Sequence, residues 1–475
     1  MKKLTILVAV ALAVGLVVPS SSGAASLSEV KKLIASDAKA NDWFGQSVAV
    51  SGDIAVVGAP MGDAGGVGFA GAAYVFSRNQ GGTDNWDEVK KLTASDAEEA
   101  DVFGNSVAVS GDIAVVGAPG DDAGGYTAGA AYVFQRDKGG TDQWGQVMKL
   151  TASGGQAGDE FGASVAVSGD VAVVGAAFAG GSGAAYVFQR DKGGTDKWGE
   201  VQKLTASDAQ AGDRFGWSVA VSADIAVVGA VGEDTWGSNA GAAYVFSRDQ
   251  GGTDNWGEVE KLTAASDAEA GDEFGSSVAV SGDIAVVGAR GEDEKGSAAG
   301  AAYVFQRDLG GTDNWGQAQK LMASDGQAGD YFGTSVAVSG DLAVVGADGE
   351  DAGGSGAGAA YVFQRDKGGT DNWGEAQKLT ASDAEAGDLF GHSVAVSGDL
   401  AVVGAFWEGN WAGAAYVFQP PVPVGGTQEL PDRAESAGNS SPLLHSALAG
   451  LAAGGALLLA AGGAWYARRR WRRAG

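Results

Sequence analysis

Apolar and polar positions along this chain fall into short blocks, not long amphipathic stretches. In one stretch the order is SVAVS from Ser106, IAVVGAP from Ile113, GAAYVFQR from Gly129 and WGQVMKLTAS from Trp144. Each block is a run of β-branched and aromatic residues punctuated by Gly, Asp or Ser, the pattern of strands between turns. The four predicted strands are designated a, b, c and d.

The four-strand unit recurs along the chain. A Phe-Gly pair precedes strand a at Phe44, Phe103, Phe161, Phe215, Phe274, Phe332 and Phe390, seven copies spaced 54 to 59 residues apart. Four strands in a repeat of this size match a propeller blade. A lone d-like segment, LSEVKKLIAS from Leu27, precedes the first unit, and the last unit stops after strand c at Gln419. The N-terminal d strand is therefore expected to complete the last blade and close the ring. An open solenoid would want capping units, and none is visible. The predicted fold is all-β: a seven-bladed β-propeller of four-stranded antiparallel blades over residues 26–419.

FGQSVAVSGDIAVVGAP, residues 44–60, resembles the FG-GAP repeat, the blade unit of integrin alpha-subunit propellers and of many bacterial surface proteins. The resemblance covers Leu27 to Gln419. It implies the propeller fold and a loop face that presents itself to ligands; it does not name the ligand.

The ends carry a different pattern. Residues 1–25 have a basic tip, an apolar run and small residues at Ala24 and Ala25, the layout of a secretory signal peptide. Residues 420–442 are Pro, Gly and polar, as in a stalk. Residues 443–466 are almost wholly Ala, Leu and Gly, long enough to span a bilayer as one helix. The basic tail at 467–475 predicts a cytoplasmic C-terminus. Leu430-Pro431, this helix and the arginines together resemble a sortase-type wall signal, but Arg433 and Ala434 stand where Thr-Gly belongs. A retained anchor is expected instead, with the body outside the cell.

Charge narrows the partners. The chain has 59 Asp and Glu against 31 Lys and Arg, a net charge of −28. Such a surface repels nucleic acid, which is not an expected partner. Cysteine is absent, and the two histidines, His392 and His445, fall in different segments. That excludes disulfides and the usual zinc ligand sets. No carboxylate pair is singled out, so the sequence points away from an enzyme.

Comparing the copies separates blade-building positions from free ones. Asp53, Asp112, Asp170, Asp224, Asp283, Asp341 and Asp399 occupy every a–b turn and are expected to bond nearby backbone N–H groups. The same is expected of Asp42, Asp101, Asp159, Asp213, Asp272, Asp330 and Asp388, two residues before each Phe. Ala223 replaces the turn glycine once, which suggests that the turn needs no left-handed residue. The strand-c tyrosines and the Trp opening strand d in six units are expected to pack between blades. The serines at 47, 106, 164, 218, 277, 335 and 393 are expected to bond backbone.

In an up-and-down blade the b–c and d–a loops share one face, and here both loop sets are rich in acid. The a–b turns lack the Asp-rich calcium loop of integrin propellers, so that family's cation sites do not carry over. Calcium bridging between neighbouring loops is a separate possibility, with Asp121, Asp122, Glu233, Asp234, Glu292, Asp293, Glu350 and Asp351 as candidate ligands. Tryptophans outside the repeat pattern, Trp43, Trp217, Trp236, Trp407 and Trp411, are the partner-binding candidates. The expectation is a membrane-anchored extracellular binding or adhesion propeller with a protein or glycan partner; the alternative is a passive, structural cell-surface protein.

Overall fold

The computed structural model describes residues 26–264, 267–309 and 311–421. The expected signal peptide, membrane helix and basic tail, and all but two residues of the stalk, lie outside the described residues. Among the described residues no helix is long and apolar enough to cross a membrane.

Seven four-stranded antiparallel sheets form the blades of a propeller, six of them in the order a-b-c-d along the chain. In blade two the strands are Ser106–Ser110, Ile113–Ala118, Ala130–Gln135 and Gly145–Leu150, within a residue or so of the sequence blocks. In blade seven, Ser393–Ser397, Leu400–Ala405 and Ala414–Gln419 are completed by Ser28–Leu33, which pairs antiparallel from Ser28 opposite Gln419. The ring closes as the out-of-phase ends require.

Strand b is buried along its whole length in six blades, and all but its first residue in blade six, because it is flanked in its own sheet and covered by both neighbouring blades. The cores lie between blades: Ile54, Val56, Val75 and Leu92 of blade one pack with Phe103, Tyr132, Phe134 and Trp144 of blade two. Each Phe of the Phe-Gly pair meets the strand-c aromatics edge to face. Phe103 lies 5.5 Å from Tyr132 and 5.9 Å from Phe134, contacts worth about 0.5–1.5 kcal/mol each beyond area burial. The glycine of Val-Val-Gly recurs for a steric reason: a Cβ on Gly58 would sit 2.0 Å from the Gly104 carbonyl oxygen of the next blade.

Serine rows stitch the blades together. Ser47 Oγ donates to the Gly104 carbonyl at 2.9 Å, and the row closes with Ser393 donating to Gly45 at 2.8 Å. A second row accepts from the turn N–H of the following blade, Gly111 to Ser51 Oγ at 3.1 Å, closing with Gly52 to Ser397 at 3.1 Å.

That second row corrects two expectations. The a–b turn N–H is satisfied by a neighbouring serine, so the turn aspartates bond no turn N–H. The Asp53 carboxylate instead lies 3.7 Å from Arg78 at the end of strand c in the same blade, and the same pairing recurs at Asp112, Asp224, Asp283 and Asp341. The turn also does demand left-handed backbone. Its glycines have φ of 55° to 58°, and Ala223 adopts φ 51°, held there by its bond to Ser168 Oγ. A left-handed L-residue costs about 1 kcal/mol, which the ring imposes on Ala223.

Candidate functional site

On the b–c and d–a loop face, strand c presents a tyrosine and strand d a lysine, and an aspartate from the d–a loop joins them. In blade two, Tyr132 Oη donates to Asp96 at 2.9 Å and Lys149 Nζ lies 2.7 Å from the same carboxylate. The trio recurs with Asp37, Asp208, Asp267, Asp325 and Asp383. In blade seven its lysine is Lys32, supplied by the N-terminal strand, 2.7 Å from Asp383. The b–c loops add a second carboxylate: Asp121, Glu233, Glu292, Glu350 and Glu408 each lie 2.7 to 3.0 Å from the lysine. Burial alone would raise the pKa of Asp96, but Lys149 and Tyr132 outweigh it and hold the group below its ordinary value. Burial would likewise lower Lys149, and its bonds to Asp121 and Asp96 raise it instead.

Beneath these clusters lie the aspartates that precede each Phe. They behave as expected: each accepts a backbone N–H three residues earlier, as Asp101 does from Glu98 at 2.7 Å. Burial, only partly opposed by that bond, pushes Asp101 and Asp272 up to about 6.

These contacts account for most of the candidate calcium ligands. Asp121, Glu233, Glu292 and Glu350 are buried and ion-paired with lysine. Asp122, Asp234 and Asp351 accept loop N–H groups, from Thr127 at 2.6 Å, Asn239 at 2.7 Å and Gly356 at 2.8 Å. Asp293 lines a groove of about 530 Å³ with Glu273, Arg290 and Tyr331. The tightest gathering is Asp267, Glu292 and Glu294, with one oxygen from each within 4.8 Å of the others. Lys320 Nζ lies among them at 2.8, 2.7 and 2.8 Å. An ammonium ion thus occupies the position that calcium, with its six to eight oxygens, would need.

The structure brings three of the five tryptophan candidates together. Trp43 packs on Phe406 at 5.7 Å, Phe406 on Trp407 at 5.6 Å, and Trp407 on Trp411 at 5.7 Å, at the junction of blades seven and one. Trp407 is 39% exposed and Trp411 49%. Gly409, Asn410 and Trp411 are three successive residues with φ of 60° to 65°, so the loop holds its rings on strained backbone. The positive φ of Trp43 has another cause. Every residue before a Phe-Gly pair shares it, even Val102, and most of these N–H groups reach a b–c loop carbonyl of the preceding blade. Trp217 lies apart in blade four, with the Arg214 guanidinium 5.7 Å from its ring. Trp236 is 56% exposed and has no aromatic partner among the described residues.

Sequence reasoning singled out only Trp217 and His392 from one set of seven equivalent residues. The residue after each Phe-Gly pair lines a cavity of about 220 Å³ where the seven a strands meet: Gln46, Asn105, Ala163, Trp217, Ser276, Thr334 and His392. The available signal was a single aligned column holding seven different residues amid near-identical neighbours. His392 is fixed there by Asp348, 2.8 Å from Nδ1, and by Phe406, 4.4 Å from its ring. The serines one position on, Ser393 among them, spend their hydroxyls on backbone carbonyls, as the sequence suggested.

The FG-GAP repeat model matches seven segments of this chain, residues 27–76, 86–134, 144–188, 198–246, 256–305, 315–363 and 373–418. No curated protein matches the sequence. Among solved structures, the chain is similar to one in the "Crystal Structure of Mitotic Checkpoint Complex", with a TM-score of 0.50 and 11% identity over 88% of this chain and 98% of that one. It is also similar to Saccharomyces cerevisiae Sqt1, with a TM-score of 0.44 and 11% identity over 80% of this chain and 83% of the other. At such identity the first likeness concerns the fold alone.

Proposed function

Because the chain belongs to the FG-GAP repeat family, we propose that it is a binding propeller, anchored in a membrane and displaying its loop face to an extracellular protein or glycan. The observation that carries this reading is the cluster of Trp43, Phe406, Trp407 and Trp411. Trp407 and Trp411, half open to solvent and seated on the buried Phe406, on backbone that is costly to hold, suit a contact made with something else. Five blades carry similar long b–c loops; blades three and seven have short ones, and only that of blade seven, FWEGNW, brings in two tryptophans. The apolar segment at 443–466 and the leader-like start support the cell-surface placement.

The test uses the full-length protein in detergent, fluorescently labelled, on an array of glycans and of purified extracellular proteins. The W407A/W411A variant should lose at least tenfold in affinity for whatever the parent binds. W236A should keep it, because Trp236 stands alone. Equal binding by all three proteins, or none by the parent, would remove the reading.

A further inference from the structure

Blade three keeps the tyrosine and lysine of the loop-face cluster and loses both carboxylates. Gly154 stands in the d–a turn where six blades have Asp37, Asp96, Asp208, Asp267, Asp325 and Asp383. Ala179 stands in the b–c loop where Glu233 and Glu408 stand in blades four and seven. Yet Lys203 is placed as its counterparts are: its Nζ lies 5.4 Å from the centre of the Tyr186 ring, against 5.2 to 5.7 Å in the other six blades. Among the described residues it has no carboxylate within ion-pair distance, and neither does Arg214, which lies 6.0 Å from the Phe178 ring of the same b–c loop. A protein of net charge −28 thus leaves two cations unpaired on its acidic face, Lys203 beside Tyr186 on the side toward blade two and Arg214 beside Phe178 on the side toward blade four. Asp159, buried below, already spends an oxygen on the Gln156 N–H at 2.8 Å. The turn itself is open, since a Cβ on Gly154 would meet nothing within 4 Å.

We propose that the junction of blades two and three, where Tyr186 and Lys203 of blade three face the turn at Gly154, binds a carboxylate supplied by a ligand. That group takes in trans the place that aspartate takes within the chain in the other six blades. One oxygen accepts from Tyr186 Oη and the other from Lys203 Nζ, as Asp96 accepts from Tyr132 and Lys149. The six intact blades supply the geometry, and the unpaired Lys203 supplies the local attraction.

The experiment compares thermal unfolding of the full chain at pH 7.5 in sodium acetate and in sodium chloride of equal ionic strength. A second arm measures anisotropy of a labelled poly-glutamate peptide. Acetate should raise Tm by a few degrees over chloride, with saturation at millimolar levels, as a single charge-assisted site allows. K203Q should abolish that rise. G154D and A179E, each restoring one internal carboxylate, should raise Tm in chloride and remove the response to acetate. Two restoring variants are used because Gly154 has φ 73°, which strains Asp there. Peptide binding that needs Lys203, with or without an acetate effect, also supports the site and assigns the carboxylate to a larger partner. No response of the parent to either probe, or one that persists in K203Q and A179E, would overturn the proposal.

Discussion

Blades five and three hold the same tyrosine and lysine in the same place and surround them differently. Lys320 meets three carboxylates, Asp267, Glu292 and Glu294; Lys203 meets none. The fold therefore does not require the ion pairs to set the lysine. Its position over the tyrosine ring follows from the strand c to strand d register, which pairs Tyr186 with Lys203 and Tyr303 with Lys320 alike. The carboxylates are additions to that frame, and each blade carries as many as its loops supply.

The contrast can be broken most sharply by removing the lysine from each blade. K320M should cost about 3 kcal/mol or more in chemical denaturation, because it leaves the buried Glu292 and its neighbours without a counter-ion. K203M should cost less than about 1 kcal/mol, as the loss of an unpaired surface charge does. Equal losses would mean that the lysine stems, not the charges, carry the stability.

A smaller effect concerns the buried aspartate under blade five. Asp272 is raised to about 6, first by burial, with Glu292 adding to the rise against the backbone bond from Glu269. The folded state thus holds the Asp272 proton more tightly than the unfolded chain does. Its contribution favours folding below about pH 4 and is lost as pH rises through 6. D272N keeps the acceptor for the Glu269 N–H and removes the charge. It should stabilise the protein by on the order of 1 kcal/mol at pH 8, with the gain fading by about pH 4. A gain independent of pH would show that charge is not its source.

The smallest effect lies on the opposite face. A223G should stabilise by about 0.5–1 kcal/mol by relieving left-handed alanine, and G282A in the next blade should lose a similar amount. If A223G changes nothing, the turn in blade four has relaxed in a way its φ of 51° does not show.

Much of this was legible in the sequence. Seven Phe-Gly pairs, four strand-like blocks per unit and the out-of-phase ends were enough to give the blade count and the closing strand. The aspartates before each Phe could be assigned because their bond is local, three residues back along the chain. The turn aspartates and Ala223 could not. Their partners, Arg78 after strand c of the same blade and Ser168 in the preceding blade, are distant in the sequence. The tryptophans stood out as departures from the repeat, but nothing local said that Trp43 and Trp407, from opposite ends of the chain, would both pack on Phe406, while Trp236 would stand alone.

Repetition is what the sequence determined by itself. Each unit's hydrogen-bonding strands, its close-approach glycines and its aromatic wedge are specified within some sixty residues, and the count of units follows by reading. Tertiary structure decided what the units share across their edges. Curling seven blades into a ring brings each d–a loop against its own blade's b–c loop and each blade's start against the previous blade's loop tip. It also gathers seven unlike residues around one cavity. Charge pairing, ring stacking and turn strain all depend on those approaches between residues far apart in the sequence, and so are set only once the ring has closed.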